Sequence, residues 1–319
     1  MIDATDATDA TDQGLVVVGE ALVDVVRSVG GDVAEHVGGS PLNVAVGLAR
    51  LGHPTTLAAW FGTDERGAAI RDHLDRDHVA LLAGSDGAPR TATAEATLDD
   101  TGAATYRFDI DWQLPHAVPT TGHLHTGSIA AVLQPGASAV REACFAQRAH
   151  GTISYDPNCR PQLMGDPAQV RSDIEQLVGL ADVVKASDED VQWLYGAEAP
   201  LEEVARLWAQ LGPSLVVVTR GGAGALAHLP AGGVGNDVKT VAGQPVSVVD
   251  TVGAGDSFMA GLLSGLLDAG LLGGLAQRDD FRRAGWEQVQ PALDRAAAAA
   301  SITVSRAGAN PPTRAELEA

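Results

Sequence analysis

Between residues 122 and 219 the chain alternates short apolar runs with amphipathic stretches, and no other feature restricts the fold as much. Leu124-His-Thr, Thr152–Tyr155, Val183–Ala186 and Leu215–Thr219 read as strands. Pro135–Arg148, Pro167–Leu180, Asp188–Tyr195 and Leu201–Leu211 read as the helices that follow or separate them. Such alternation builds βαβ units and a largely parallel sheet with helices on both faces. Leu15–Val18, apolar at every position, is the first buried strand of that sheet. The expected fold is α/β and doubly wound, with a mostly parallel central sheet flanked by helices.

The rest of the chain decorates this frame. Thr55–Phe61 reads as a strand, and Asp64 caps a helix that runs to about Arg76. Thr91–Leu98 and Ala103–Ile110 alternate and are joined by Asp99-Asp-Thr-Gly102, a hairpin signal. Together with residues 20–37 they predict a small β-sheet lid over residues 20–37 and 91–110. Residues 1–13 repeat Asp-Ala-Thr and read as a disordered acidic tail. Residues 287–305 form an Ala-rich helix, Pro311-Pro312 ends the order, and 314–319 are a C-terminal tail to a domain spanning 14–313.

Composition removes several function classes. With 319 residues and a net charge of −20, the chain lacks the basic surface that nucleic acid or an anionic membrane requires. Two cysteines, Cys144 and Cys159, give neither a disulfide framework nor a metal spacing. No basic region followed by an apolar run opens the chain, and no apolar run is long enough to span a bilayer. A cytoplasmic location is expected.

The chemistry concentrates in Ser247–Leu267. Ser247-Val-Val reads as a short strand, Gly253 and Gly255 as a turn, and a helix begins near Asp256. A glycine turn feeding a helix aims free N–H groups and the positive end of the dipole at an anion such as phosphate. Asp256 suits an N-cap as well as a general base. Gly38-Gly39 precede a second helix, with Ser40 as a preferred N-cap, Pro41 as a preferred first residue and Asn43 in the first turn. Glu20 and Asp24 follow the first strand, where open α/β sheets bind ligands. Asp156-Pro-Asn-Cys-Arg160 reads equally as a salt-bridged turn or as a loop for polyol hydroxyls, with Arg160 free to clamp a phosphoryl group.

Other motifs are weaker. A Walker A loop is absent, since neither lysine is followed by Ser or Thr after a glycine. Gly222-Ala-Gly-Ala-Leu-Ala227 matches a degenerate dinucleotide fingerprint, but Ala223–His228 reads as a strand where a helix is required. His123-x-His125 has no third ligand nearby and reads as a structural pair. Gly261 and Gly265 allow a neighbouring helix to pack closely.

Asp250-Thr-Val-Gly-Ala-Gly-Asp256 resembles the second signature of the ribokinase-like (PfkB) sugar kinases, and Gly38-Gly-Ser-Pro-Leu-Asn43 resembles their first. The two stand in the family's order, and the resemblance extends from about Leu15 to Pro312. Gly19-Glu-Ala-Leu-Val-Asp24, Asp156-Pro-Asn-Cys-Arg-Pro161 and Val184-Lys-Ala-Ser-Asp-Glu189 are similar to bacterial fructokinases. The resemblance implies ATP-dependent phosphorylation of a ketose, fructose first, with 2-keto-3-deoxygluconate, ribose or a non-catalytic sugar sensor as alternatives. It implies Asp256 as base and the amides of Gly253, Ala254 and Gly255 as an anion hole. Asp24, Gly38, Gly39, Asn43 and Arg160 would hold the sugar. Lys185, Ser187, Thr219, Gly221 and Gly224 would line the nucleotide side together with Gly253 and Gly255. The family's Mg²⁺-ordering Asn-x-x-Glu stands here as Ser187-Asp-Glu-Asp190, which makes Asp190 the Mg²⁺ candidate. Asp250, with carbonyls of the Ser305–Gly308 loop, would bind a monovalent cation such as K⁺. The resemblance allows a homodimer through the lid, as in many relatives, if the lid carries an apolar face; the sequence itself does not establish a dimer.

Overall fold

The computed structural model of the chain describes residues 14–28, 30–98, 104–114, 117–233 and 235–319. The expected acidic tail and the turn of the expected hairpin at Asp99–Gly102 lie outside these residues. The strands, in chain order, are β1 (Leu15–Val18), β2 (Leu22–Arg27), β3 (Val33–Gly38), β4 (Thr55–Ala58), β5 (Ala80–Leu81), β6 (Thr93–Leu98), β7 (Ala104–Asp109), β8 (His123–Gly127), β9 (Thr152–Asp156), β10 (Val183–Ser187), β11 (Leu215–Thr219), β12 (Ala225–His228) and β13 (Val238–Val241). The longer helices are α1 (Ser40–Arg50), α2 (Glu65–Arg76), α3 (Gly136–Arg148), α4 (Pro167–Leu180), α5 (Asp188–Tyr195), α6 (Leu201–Leu211), α7 (Ala254–Asp268), α8 (Leu275–Phe281) and α9 (Trp286–Val304).

Nine strands form the central sheet in the order β13-β12-β11-β10-β9-β8-β1-β4-β5. From β11 to β5 every neighbour is parallel; only β12 and β13 run antiparallel at one edge. The two faces are legible in β1. Leu15 and Val17 enter a core with α1, α2, α7, α8 and α9, whereas Val16 and Val18 enter one with α3, α4, α5 and α6. Period-two alternation thus sends an all-apolar strand into two cores, which is the doubly wound arrangement.

The second sheet, ordered β3-β2-β6-β7, is built from the expected lid segments. β2 pairs antiparallel with β3 and parallel with β6, and β6 pairs antiparallel with β7. Because β2 and β3 lie between β1 and α1 in the chain, this sheet is tethered at the carboxyl end of β1.

Several expectations are corrected. Ser247-Val-Val is not a strand: residues 242–249 are irregular, with Val248 and Val249 exposed and no sheet partner. The fourth strand stops at Ala58. α7 begins at Ala254, two residues before Asp256, because Gly253 takes the cap position at φ 73°. Past Pro311-Pro312 the chain does not lose order. Thr313 caps a helical turn over Arg314–Leu317, and Arg314 Nε donates to the Leu51 carbonyl at 2.7 Å. No helix among the described residues is long and apolar enough to cross a membrane.

Candidate active site

Two helices face each other across the site, and small residues set their separation. Ser40, Asn43 and Gly47 share one face of α1 by their three- and four-residue spacing. A Cβ on Gly47 would stand 2.6 Å from Ala260 Cβ, so glycine here brings α1 against α7. On the other side of α7, Cβ atoms on Gly261 and Gly265 would meet Ala296 and Ala292 of α9 at 2.9 and 2.5 Å. α7 is therefore held on two sides, and its first turn is fixed in position.

That first turn carries Asp256, which is 9% exposed. Its Oδ1 accepts from Ser40 Oγ at 2.7 Å and its Oδ2 from Asn43 Nδ2 at 2.8 Å. Asp256 does not cap its own helix. Both carboxylate oxygens face α1 with neutral donors, an arrangement that orients the group and leaves it free to take a proton. The Ala254 amide turns to the Thr251 carbonyl at 3.2 Å. Among the described residues, no acceptor takes the amides of Gly253, Gly255 or Asp256. These are the unsatisfied donors of a helix start, beside a carboxylate.

Ser40 was misassigned from sequence. Gly39, at φ 115°, is the N-cap of α1, and Ser40 is its first residue, with its hydroxyl directed to Asp256. No sequence signal separates the two roles, because Ser before Pro fits a cap equally well. Gly39 is required by space as well as by φ, since a Cβ there would stand 2.4 Å from the Glu20 carbonyl. Gly38 plays the same part for Asp24, whose Oδ2 would be 2.3 Å from a Cβ.

The sugar-side candidates converge at the carboxyl ends of β1, β8 and β9. Asp24 on β2 is half-buried, and burial pushes its carboxyl up against the opposing pull of His36 and Arg160. Glu20 is 5% exposed; burial pushes its carboxyl up to about 7, opposed by Ser128, Arg160 and the Ala130 amide. Arg160 is exposed and donates to the Asn158 and Cys159 carbonyls and to Asn158 Oδ1. Asp156 is not on the open loop. It is the last residue of β9, fully buried, and pairs with Lys185 Nζ at 2.7 Å. Burial pushes the Asp156 carboxyl up to about 6, with Lys185 opposing.

The nucleotide-side candidates occupy the ends of β10 and β11. Lys185 is buried and also donates to the Gly255 carbonyl at 3.3 Å. Burial works against its charge, but Asp156, Asp256 and Asp190 outweigh it and hold the ammonium above the usual lysine range. Ser187 caps α5 reciprocally with Asp190. Asp190 accepts the Cys159 amide at 2.7 Å and the Ser187 amide at 2.8 Å, so both of its oxygens are engaged by the backbone. Thr219 Oγ1 donates to the Ala186 carbonyl. Gly221 and Gly224 lie at φ 49° and 86°, and a Cβ on Gly224 would stand 2.0 Å from the Val241 carbonyl. Asp250 accepts the Val252 and Gly308 amides, which hold its carboxyl below the usual range and join the turn before α7 to the 305–308 loop. Among the described residues no group of three His, Cys, Asp or Glu side chains could hold a metal ion.

Comparison with known proteins identifies the family. Residues 12–316 match the family described as pfkB family carbohydrate kinase. The chain is 37% identical to a fructokinase of Klebsiella pneumoniae over 271 residues, covering 82% of this chain and 86% of that protein. It is 34% identical to a fructokinase of Salmonella typhimurium, covering 80% and 85%. A double mutant of the Vibrio cholerae O395 fructokinase, solved with fructose, ADP and potassium ion, is similar with a TM-score of 0.77 and 29% identity, covering 97% of this chain and 98% of that one.

Proposed function

The chain belongs to the pfkB family of carbohydrate kinases, and on that footing we propose that it transfers the γ-phosphoryl group of ATP to the 6-hydroxyl of fructose. The observation that carries the reading is Asp256, oriented by Ser40 and Asn43 beside unpaired amides at the start of α7. The resemblance of the chain to fructokinases supports the choice of sugar.

In this reading the sugar oxygen attacks the γ-phosphorus, its proton passes to an oxygen of Asp256, and the bond to the ADP oxygen breaks. The amides of Gly253 and Gly255 face the charge developing on the transferred group, as fixed donors that need no reorganisation. Asp24, Asn43 and Arg160 hold the sugar in line, with Gly38 and Gly39 giving the backbone room. Thr219, Gly221 and Gly224 border the nucleotide. The small sheet excludes water, which would otherwise accept the phosphoryl group.

Mg²⁺, when bound, neutralises phosphate oxygens. With Asp190 engaged by two amides and no protein cage among the described residues, the residues fit an ion that arrives on the nucleotide's phosphates, as hydrated Mg²⁺ commonly does. In the same reading a monovalent cation would lie beside the turn, on Asp250 and carbonyls of the 305–308 loop, which the Gly308 amide ties to Asp250. The same reading places the enzyme in the cytoplasm.

The test is sugar-dependent ADP release over a panel of ketoses, aldoses and sugar acids, with and without Mg²⁺ and K⁺. Fructose should give the highest kcat/KM. A panel without sugar-dependent release would overturn the reading, and a preference for another sugar would overturn the choice of substrate.

A further inference from the structure

A single buried cation lies against the catalytic turn. Lys185, one of only two lysines in the sequence, is 4% exposed and occupies the middle of β10. Its ammonium reaches Asp156 Oδ2 at 2.7 Å and the Gly255 carbonyl at 3.3 Å. A Cβ on Gly255 would stand 3.1 Å from Nζ, so the turn rests directly on the lysine. Asp156 is fully buried, and among the described residues Lys185 is the one partner of its carboxylate.

A buried ion pair is weak support for stability, because desolvation offsets most of the attraction. This pair has a further connection: its cation touches the backbone whose amides face the site. Three carboxylates act on that cation, from β9 (Asp156), α5 (Asp190) and α7 (Asp256). His125 on β8, also near it, is buried and stays neutral.

We propose that the Asp156–Lys185 pair is a positioning device for the catalytic turn. Lys185 fixes the Gly255 carbonyl, and with it the direction of the Gly253 and Gly255 amides. Its charge, balanced by Asp156, offsets the negative charge gathered around Asp256. The proposal rests on the kinase reading of Asp256. It differs from the expectation that Lys185 contacts the nucleotide, because it assigns the lysine's effect to the turn.

Lys185→Met and Asp156→Asn test it. Lys185→Met should lower kcat about 10–100-fold with KM for sugar and for ATP changed less than about threefold. The acid limb of kcat should move to higher pH in Lys185→Met, which removes a positive charge near Asp256. It should stay nearly in place in Asp156→Asn, because the Asp156 carboxyl, pushed up to about 6, is already protonated on that limb. A purely structural role would not move the limb in one variant and leave it in the other. Amide exchange of the peptide Thr251–Phe258 should quicken in both variants, and this readout needs no substrate, so it stands even if no sugar is phosphorylated. If Lys185→Met does not fold, the pair Lys185→Met with Asp156→Leu removes both charges, keeps the space filled and should show the same exchange and the same loss of kcat. Unchanged exchange, acid limbs that move together, or a raised KM for ATP with kcat intact overturns the proposal.

Discussion

Asp256 differs from an ordinary first-turn aspartate in where its oxygens go. Both accept from α1, at 2.7 and 2.8 Å, and neither turns back to the amides of its own helix. Asp256→Asn removes the proposed proton acceptor and should lower kcat by about 10²–10⁴-fold while the protein stays folded. Ser40→Ala removes one orienting donor and should cost kcat roughly tenfold, since a hydrogen bond to a charged group is worth about 1.5–3 kcal/mol; steady-state kinetics reads both. Glu20 makes a separate prediction about stability. Its value of about 7 in the fold exceeds the ordinary 4.5, so the folded chain holds that proton more tightly than the unfolded chain. The stability from the buried neutral acid is full below about pH 4.5 and is lost as pH rises through about 7. Glu20→Gln keeps the neutral form at every pH. Its stability relative to the parent should therefore improve between pH 5 and pH 8, by up to about 3 kcal/mol in urea unfolding. Asp256 was legible in the sequence because its whole motif is distinctive. Ser40 was not, because the rule for caps fits Ser before Pro better than the packing of Gly39 against Glu20 lets it.

At the scale of elements, β8 joins β9 through a polar ladder inside the sheet. His123 reaches Thr152 and Ser154, and His125 reaches Ser154, all at 2.8–2.9 Å. Burial pushes both imidazoles down to about 3, far below the ordinary 6.5. The unfolded chain thus binds protons that the fold excludes. Stability from the neutral pair is full above about pH 6.5 and falls as pH drops towards 3. His125→Asn should remove one proton from the slope of stability against pH between 6.5 and 4, measured by denaturant unfolding. The pair was expected to be structural, and the ladder gives the reason. Helix packing makes the other prediction here: Gly265→Val drives a side chain into Ala292 of α9 and should destabilise by about 1–3 kcal/mol. Helices α4, α5 and α6 were legible to the residue because the apolar period ends at bounding residues such as Asp166, Ser187 and Gly212. Ser247-Val-Val misled because β-branched residues favour a strand only where a neighbour offers a sheet edge, and none does.

Across the whole molecule, a net charge of −20 works against compactness. Raising salt from low to about physiological ionic strength shortens the screening length to about 8 Å and should raise the melting temperature, a shift that calorimetry would detect. The layered architecture followed from strand–helix alternation alone. The order of the strands did not, because pairing β1 between β8 and β4 depends on crossovers that no local pattern records. The antiparallel edge of β12 and β13 was half-legible: Ala223–His228 reads as a strand, but its partner Val238–Val241 lacks an apolar signature.

The small sheet's place in the chain has one more implication. Asp24 lies on β2 and Gly38 ends β3, so two of the residues proposed to hold the sugar belong to the sheet proposed to cover it. In that reading recognition and enclosure share one backbone and form a single equilibrium. A ligand too small to engage Asp24 would leave the cover unbiased and the γ-phosphate open to hydrolysis. Fidelity in such a machine is a kinetic partition between transfer and leak, and the slow ATPase rate measured with poor sugars is its natural gauge.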